Sequence, residues 1–151
     1  MLPFILLTLL SIATAIAFLA YLPYLLKKTS KEMERYDSTT SKAEALRWAF
    51  SCYSTVSLIC LIISLGSVVL NVSVVMKETF WAGWFFPAFI IVGGPCLHIP
   101  LMKAFQRLTK QHQVEFNTTH YLFGGTASSL IIGGALYNII YFIHCLSLGL
   151  F

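Results

Sequence analysis

The stretch Leu2–Leu26 reads LPFILLTLLSIATAIAFLAYLPYLL and contains no charged residue. An α-helix needs about 20 apolar residues to cross the roughly 30 Å hydrocarbon core of a bilayer. Within lipid the backbone must satisfy its own hydrogen bonds, which favours a helix over an open strand. This stretch therefore predicts a membrane-spanning helix near the start of the chain.

Three further uncharged blocks follow the first one: Trp48–Met76, Thr79–Met102 and Tyr121–Phe151. Of the 151 residues, 58% are hydrophobic and 11% are charged, whereas about 25% are charged in an ordinary soluble domain. We therefore predict an all-α, polytopic membrane protein. It forms a single four-helix transmembrane domain over residues 1–151, with spans at 2–26, 48–76, 79–102 and 121–150.

Lysine and arginine are distributed unevenly among the three connections between these blocks. The first connection contains six of them, the third contains three, and the second contains only Lys77. Cytoplasmic loops carry an excess of Lys and Arg, so we expect connections one and three to be cytoplasmic and both termini to be non-cytoplasmic. Orientation and lipid headgroups then account for the net charge of +4, and no nucleic acid partner is expected.

The long first connection is expected to be mostly helical. The first helix continues beyond the membrane, and Asp37–Thr40 breaks it. Ser41 and Glu44 have the spacing of a capping box, which predicts that the second helix starts near residue 42. Asn117 or Thr118 is the expected cap of the last helix.

Small and polar residues recur along one face of the second and fourth spans. Because small side chains let membrane helices approach closely, such faces are typical of helix contacts. The residues predicted to pack in this way are Ser57, Ser64, Asn71, Gly125, Ser129 and Gly133. A lining for a small lipophilic molecule is the alternative interpretation of the same faces.

Few residues in the chain indicate a chemistry. No carboxylate or amine lies inside the four blocks, although such groups usually mark transport sites in membranes. His98 and His144 are expected at different depths, which disfavours a haem held between them. The four cysteines lack Cys-x-x-Cys spacing. We therefore assign no metal site, no catalytic residue and no defined cofactor.

The layout resembles the MAPEG superfamily, small trimeric membrane proteins of glutathione and eicosanoid metabolism. Tyr36-Asp37 and Arg47-Trp48-Ala49, which enter the second span, are similar to bacterial members, and His98–Leu101 and Gly124-Gly125 fall in similar places. The resemblance implies a cytoplasmic cofactor pocket near Arg47 and His98.

The chain departs from the family pattern after Arg47. The pattern continues with Asn seven positions later and Glu ten positions later, where this sequence has Ser54 and Ser57. A serine hydroxyl cannot replace the carboxylate that accepts a hydrogen bond from the amine of glutathione. We therefore predict that the chain does not perform glutathione transfer.

Two functions follow from the sequence. The favoured one is a non-catalytic subunit or scaffold that packs through its transmembrane helices within a homo- or hetero-oligomeric membrane complex. The alternative is a MAPEG-like protein that binds or modifies a lipophilic substrate, with glutathione as its possible cofactor. The expected partners are the lipid bilayer, further copies of the chain or other membrane subunits, and in the alternative a lipophilic ligand.

Overall fold

The structure is a computed structural model that describes residues 2–71, 73, 99–100, 103–114, 119–147 and 149, with the backbone alone for 119–125. The described residues form helices, and a short turn at residues 35–38 joins the first two. This confirms the all-α prediction for this part of the chain. The helices are α1 (Leu2–Glu34), α2 (Thr39–Leu70), α3 (residues 103–112) and α4 (Thr119–Ser147).

Within the described residues, three helices are long and apolar enough to cross a membrane: Leu2–Glu34, Thr39–Leu70 and, within α4, Thr126–Ser147. They match the first, second and fourth predicted spans. The third predicted span, 79–102, lies outside the described residues except for 99–100. At 1.5 Å per residue, the 33 residues of α1 extend about 50 Å, well beyond a hydrocarbon core of about 30 Å.

The turn between α1 and α2 corrects one prediction. Helix α2 begins at Thr39, three residues before the expected start, and its N-cap is Ser38. The Ser38 Oγ accepts a hydrogen bond from the backbone N–H of Ser41 at 3.2 Å. The cap therefore lies one turn before the predicted capping box at Ser41 and Glu44, because Ser38 already satisfies a free N–H of the first turn. The candidate caps of α4, Asn117 and Thr118, lie outside the described residues.

Helix α1 runs antiparallel to α2. At one end of the pair, the Lys28 Nζ lies 4.9 Å from the centre of the Trp48 ring. At the other end, the Asn71 Nδ2 lies 3.4 Å from the Thr8 Oγ1. The charged ends of both helices therefore lie together, and so do their apolar ends.

Helix α4 runs parallel to α2. Tyr53, near the start of α2, bonds to Ser128 of α4 through their hydroxyls at 3.1 Å. Asn71, at the end of α2, bonds to Asn138 further along α4 at 3.0 Å. Since α2 and α4 point the same way, the chain between them must return to the end of the bundle where α2 began.

Two groups of apolar residues fill the space between the helices. The group nearer the charged end contains Phe18, Phe50, Tyr53 and Phe105, and Phe105 of α3 packs edge-on against the Phe50 ring at 6.3 Å. The group at the opposite end comprises Phe4, Val68, Tyr137, Tyr141 and Cys145. A set of buried polar side chains lies next to this second group.

Candidate functional site: a buried polar cluster

Five buried polar side chains from three helices form what we call the polar cluster: Thr8 and Ser11 of α1, Ser67 of α2, Asn71 after α2, and Asn138 of α4. Asn71, Asn138 and Ser11 have no exposed surface. A buried amide or hydroxyl without a partner is costly in an apolar environment. The hydrogen bonds of the cluster therefore decide whether these helices can pack here.

Asn138 connects α4 to both other helices. Its Nδ2 donates to the Ser11 Oγ at 2.9 Å and to the Ser67 Oγ at 3.1 Å. Its Oδ1 accepts from the Asn71 Nδ2 at 3.0 Å, and the same Asn71 nitrogen donates to the Thr8 Oγ1. Both amide nitrogens therefore bridge two partners on different helices.

The hydroxyl groups of the cluster are oriented by their own helices. Thr8 donates to the Phe4 carbonyl at 2.9 Å, and Ser11 donates to the Thr8 carbonyl at 3.0 Å. Ser67 donates to the Ser64 carbonyl at 2.7 Å. A hydroxyl has one proton and two lone pairs. Each oxygen is thus left as an acceptor that faces an amide N–H.

One acceptor of the cluster has no partner. The Oδ1 of Asn71 is buried and forms no hydrogen bond with the residues that the structure describes. The two amides otherwise use every side-chain polar atom that they possess. The cluster is therefore almost saturated, and it has no further donors to offer a ligand.

Helices α2 and α4 also meet at Ser64 and Gly134. The Ser64 Oγ donates to the backbone carbonyl of Ile131 at 3.0 Å. A Cβ atom built on Gly134 would overlap with the Ser64 side chain. Because only hydrogen occupies that position, the two backbones can approach closely enough for the bond to form.

The structure places most of the predicted packing residues in the interior. Ser57, Ser64, Asn71 and Ser129 have no exposed surface, and Gly133 is buried. Gly125 lies in the part of α4 that is described by its backbone alone. Ser64 and Asn71 form hydrogen bonds to other helices.

The packing residues predicted from the sequence do not include Asn138, Thr8, Ser11 or Gly134. A signal for Asn138 was present, because it is the only Asn, Gln, Asp, Glu, Lys or Arg within Tyr121–Phe151. A lone amide in a span commonly bonds to a neighbouring helix. Thr8 and Ser11 carry no such signal, since isolated hydroxyls are common in membrane helices and bond to their own backbone.

Of the two candidate cofactor residues, the structure describes only Arg47. Arg47 is exposed on α2, and His98 lies outside the described residues. Ser54 is half-buried and Ser57 fully buried. In the described part of the chain, no group of three or more His, Cys, Asp or Glu residues could hold a metal ion, and Cys52 and Cys60 are free thiols.

An apolar cavity of about 270 Å³ lies between α1, Pro100, Ala104 and α4. Phe18, Pro23, Ala104, Ser128 and Ile132 are among its lining residues. Among the described residues that line the cavity, only Ser128 has a hydroxyl group. The cavity can therefore hold a lipophilic group, and the lining residues that the structure describes include no acid or base.

Comparisons of the chain with models of known protein families, with curated proteins and with solved structures give no match.

Proposed function

We propose that this chain is a polytopic integral membrane protein that acts as a non-catalytic subunit or scaffold, packing through its transmembrane helices within an oligomeric membrane complex. The observation that carries this proposal is the bonding within the polar cluster. Asn71 and Asn138 direct their amide groups at the hydroxyls of neighbouring helices and at each other. Polar groups arranged in this way hold helices together, whereas a catalytic site presents them to a cavity.

The parallel course of α2 and α4 supports a four-span topology. The chain leaves α2 at the end marked by Asn71 and enters α3 at the end where Phe105 contacts Phe50 and Tyr53. The intervening sequence includes the uncharged block Thr79–Met102, which is long enough to return across a bilayer. With the charge bias of the connections, this topology leaves both termini on the non-cytoplasmic side.

Native mass spectrometry of the full chain in mild detergent tests the proposed function. We expect the chain to appear in complexes with further copies of itself or with another membrane subunit at fixed stoichiometry. A monomer that carries a small molecule in a one-to-one ratio would contradict the proposal. The same spectra would then support the second candidate.

The second candidate is a MAPEG-like protein that binds or modifies a lipophilic substrate. The apolar cavity between α1 and α4 favours it, because the cavity opens within the membrane-spanning part of the helices. Calorimetry with glutathione tests this candidate directly. Saturable binding that disappears in Arg47→Ala would support glutathione-dependent chemistry, and no binding would agree with the serines at positions 54 and 57.

A further inference from the structure

A cleft of about 440 Å³ opens between the ends of α1 and α2 that extend beyond their apolar segments. Lys28, Glu32 and Tyr36 line one side, and Glu44 and Trp48 line the other. We call this the interface cleft. It lies at the end of the bundle opposite the polar cluster, so it shares no residue with the contacts on which the proposed function rests.

The position of the cleft follows from the sequence around it. Lys28 comes two residues after the first uncharged block ends, and Trp48 is the first residue of the second block. The Lys28 Nζ lies 4.9 Å from the centre of the Trp48 ring, so both helices leave the apolar zone at the same height. Tryptophan and lysine are enriched at this boundary. If α1 and α2 span a bilayer as proposed, the cleft opens among the lipid headgroups.

The charges that line the cleft are only partly paired. Glu32 forms an ion pair with Arg35 at 3.1 Å. Lys28 and Glu44 stand on opposite walls, and within the part of the chain that the structure describes neither of them forms an ion pair. Among the described residues that line the cleft, the charges without an ion pair are thus one amine and one carboxylate on facing walls, which complement a ligand that carries both charges.

We propose that the interface cleft binds the headgroup of a zwitterionic phospholipid. Its phosphate lies beside Lys28, and its ammonium group lies beside Glu44. Hydrogen bonds between charged groups are about twice as strong as neutral ones, which favours a ligand that meets both walls. An anionic headgroup satisfies Lys28 alone and brings a negative charge towards Glu44. The acyl chains of a zwitterionic lipid remain in the bilayer beside α1 and α2.

The test uses the full chain in detergent and native mass spectrometry. Equal amounts of phosphatidylethanolamine and phosphatidylglycerol with identical acyl chains are added, and the retention of each lipid is measured. We expect phosphatidylethanolamine to be retained preferentially. Glu44→Gln should lower its retention about ten-fold without lowering that of phosphatidylglycerol, whereas Lys28→Gln should lower the retention of both lipids.

Matched controls lie on the same end of α1. Glu34 and Lys27 are exposed and do not line the cleft, so Glu34→Gln and Lys27→Gln should leave retention unchanged. Soluble phosphoethanolamine at the same concentration should not displace the lipid, because it lacks the acyl chains that hold the headgroup at the cleft.

Three results would overturn the proposal. They are equal retention of the two lipids by the unaltered chain, the same lipid retention in Glu44→Gln as in Glu34→Gln, and displacement of the bound lipid by soluble phosphoethanolamine. The subunit mass in the same spectra reports on the proposed scaffold function independently. Loss of lipid preference with the complex intact therefore contradicts the lipid site alone.

Discussion

Asn71 donates a hydrogen bond from its Nδ2 to the Oδ1 of Asn138 at 3.0 Å, across the contact between α2 and α4. The two residues are 67 positions apart in the chain. Each amide also bonds to α1, Asn71 through Thr8 and Asn138 through Ser11. The pair thus joins three helices at one level of the bundle, where both side chains are fully buried.

Replacement of Asn138 should destabilise the bundle. Asn138→Leu removes three interhelical hydrogen bonds and leaves one Asn71 donor and two hydroxyl acceptors without this partner. Single interhelical hydrogen bonds in membranes contribute about 0.6 kcal/mol on average and at most about 1.7 kcal/mol. We expect a loss of about 2 kcal/mol, measured by unfolding in mixed detergent micelles.

The coupling between the two amides can be measured separately. A double-mutant cycle of Asn71→Leu and Asn138→Leu should show that the two losses are not additive, because each variant already breaks the shared bond. Thr55→Val is the control, since Thr55 is exposed and bonds only to its own helix. Additive losses would show that the amides act independently.

Gly134 should not tolerate a methyl group, although alanine is the better helix former. Gly134→Ala places a Cβ against Ser64, and we expect it to cost about 1–3 kcal/mol of stability through overpacking. Gly66→Ala is the matched control, because a Cβ at Gly66 meets no atom of the described residues within 4 Å. That variant should be neutral or stabilising by up to about 1 kcal/mol.

A second substitution distinguishes steric overlap from other causes. Ser64→Ala removes the oxygen that the new methyl group meets, so it should restore part of the stability lost in Gly134→Ala. The comparison uses the same detergent unfolding measurement. A double variant that is no more stable than Gly134→Ala would rule out this contact as the cause.

The face of α4 that contains Ser129 and Gly133 should reject added bulk. Ser129→Leu and Gly133→Leu should weaken the bundle or its assembly, because both positions are buried and their neighbours cannot accommodate a leucine without moving. Ser147→Leu provides the control, since Ser147 is exposed on the same helix and donates to the His144 carbonyl of that helix. Size-exclusion chromatography and detergent unfolding together report the outcome. Unchanged elution and unchanged stability in both variants would mean that this face of α4 accommodates a larger side chain.

The proposed topology predicts which residues can be labelled from each side of the membrane. Single cysteines at positions 38 and 151, introduced into a chain whose native cysteines are replaced, should react with an impermeant reagent from opposite sides. The reason is the concentration of Lys and Arg in the first and third connections. Reaction of both positions from the same side would refute the topology.

The spans could be predicted from the sequence because hydropathy is a local property. An uncharged run such as Leu2–Leu26 predicts a helix whatever it contacts. The start of α2 was predicted less well, because Ser38 and Ser41 both have the chemistry of an N-cap. Only the backbone conformation of Ser38, with φ −85° and ψ 141°, decides between them.

The site was harder to predict because it depends on how the helices are aligned. The spacing of four from Gly125 to Ser129 to Gly133 selects Gly133, yet the glycine that meets Ser64 is its neighbour, Gly134. Likewise, the sequence placed Asn71 on a contact face without indicating Asn138 as its partner. Periodicity defines a face of one helix, whereas the partners on that face depend on the register and crossing of two helices.

The arrangement of the polar cluster also has a consequence for biogenesis. Chains are synthesised from the N-terminus, so, if these helices span a membrane as proposed, the hydroxyls of α1 and α2 enter it before the ribosome has added Asn138. Until then the Ser11 and Ser67 oxygens lack the amide donor that binds them in the finished bundle. Once α4 is in place, Asn138 donates to both oxygens at once. Helix α4 therefore completes the hydrogen bonding between the three helices. A nascent chain that stops short of α4 would therefore leave both hydroxyl oxygens without this donor.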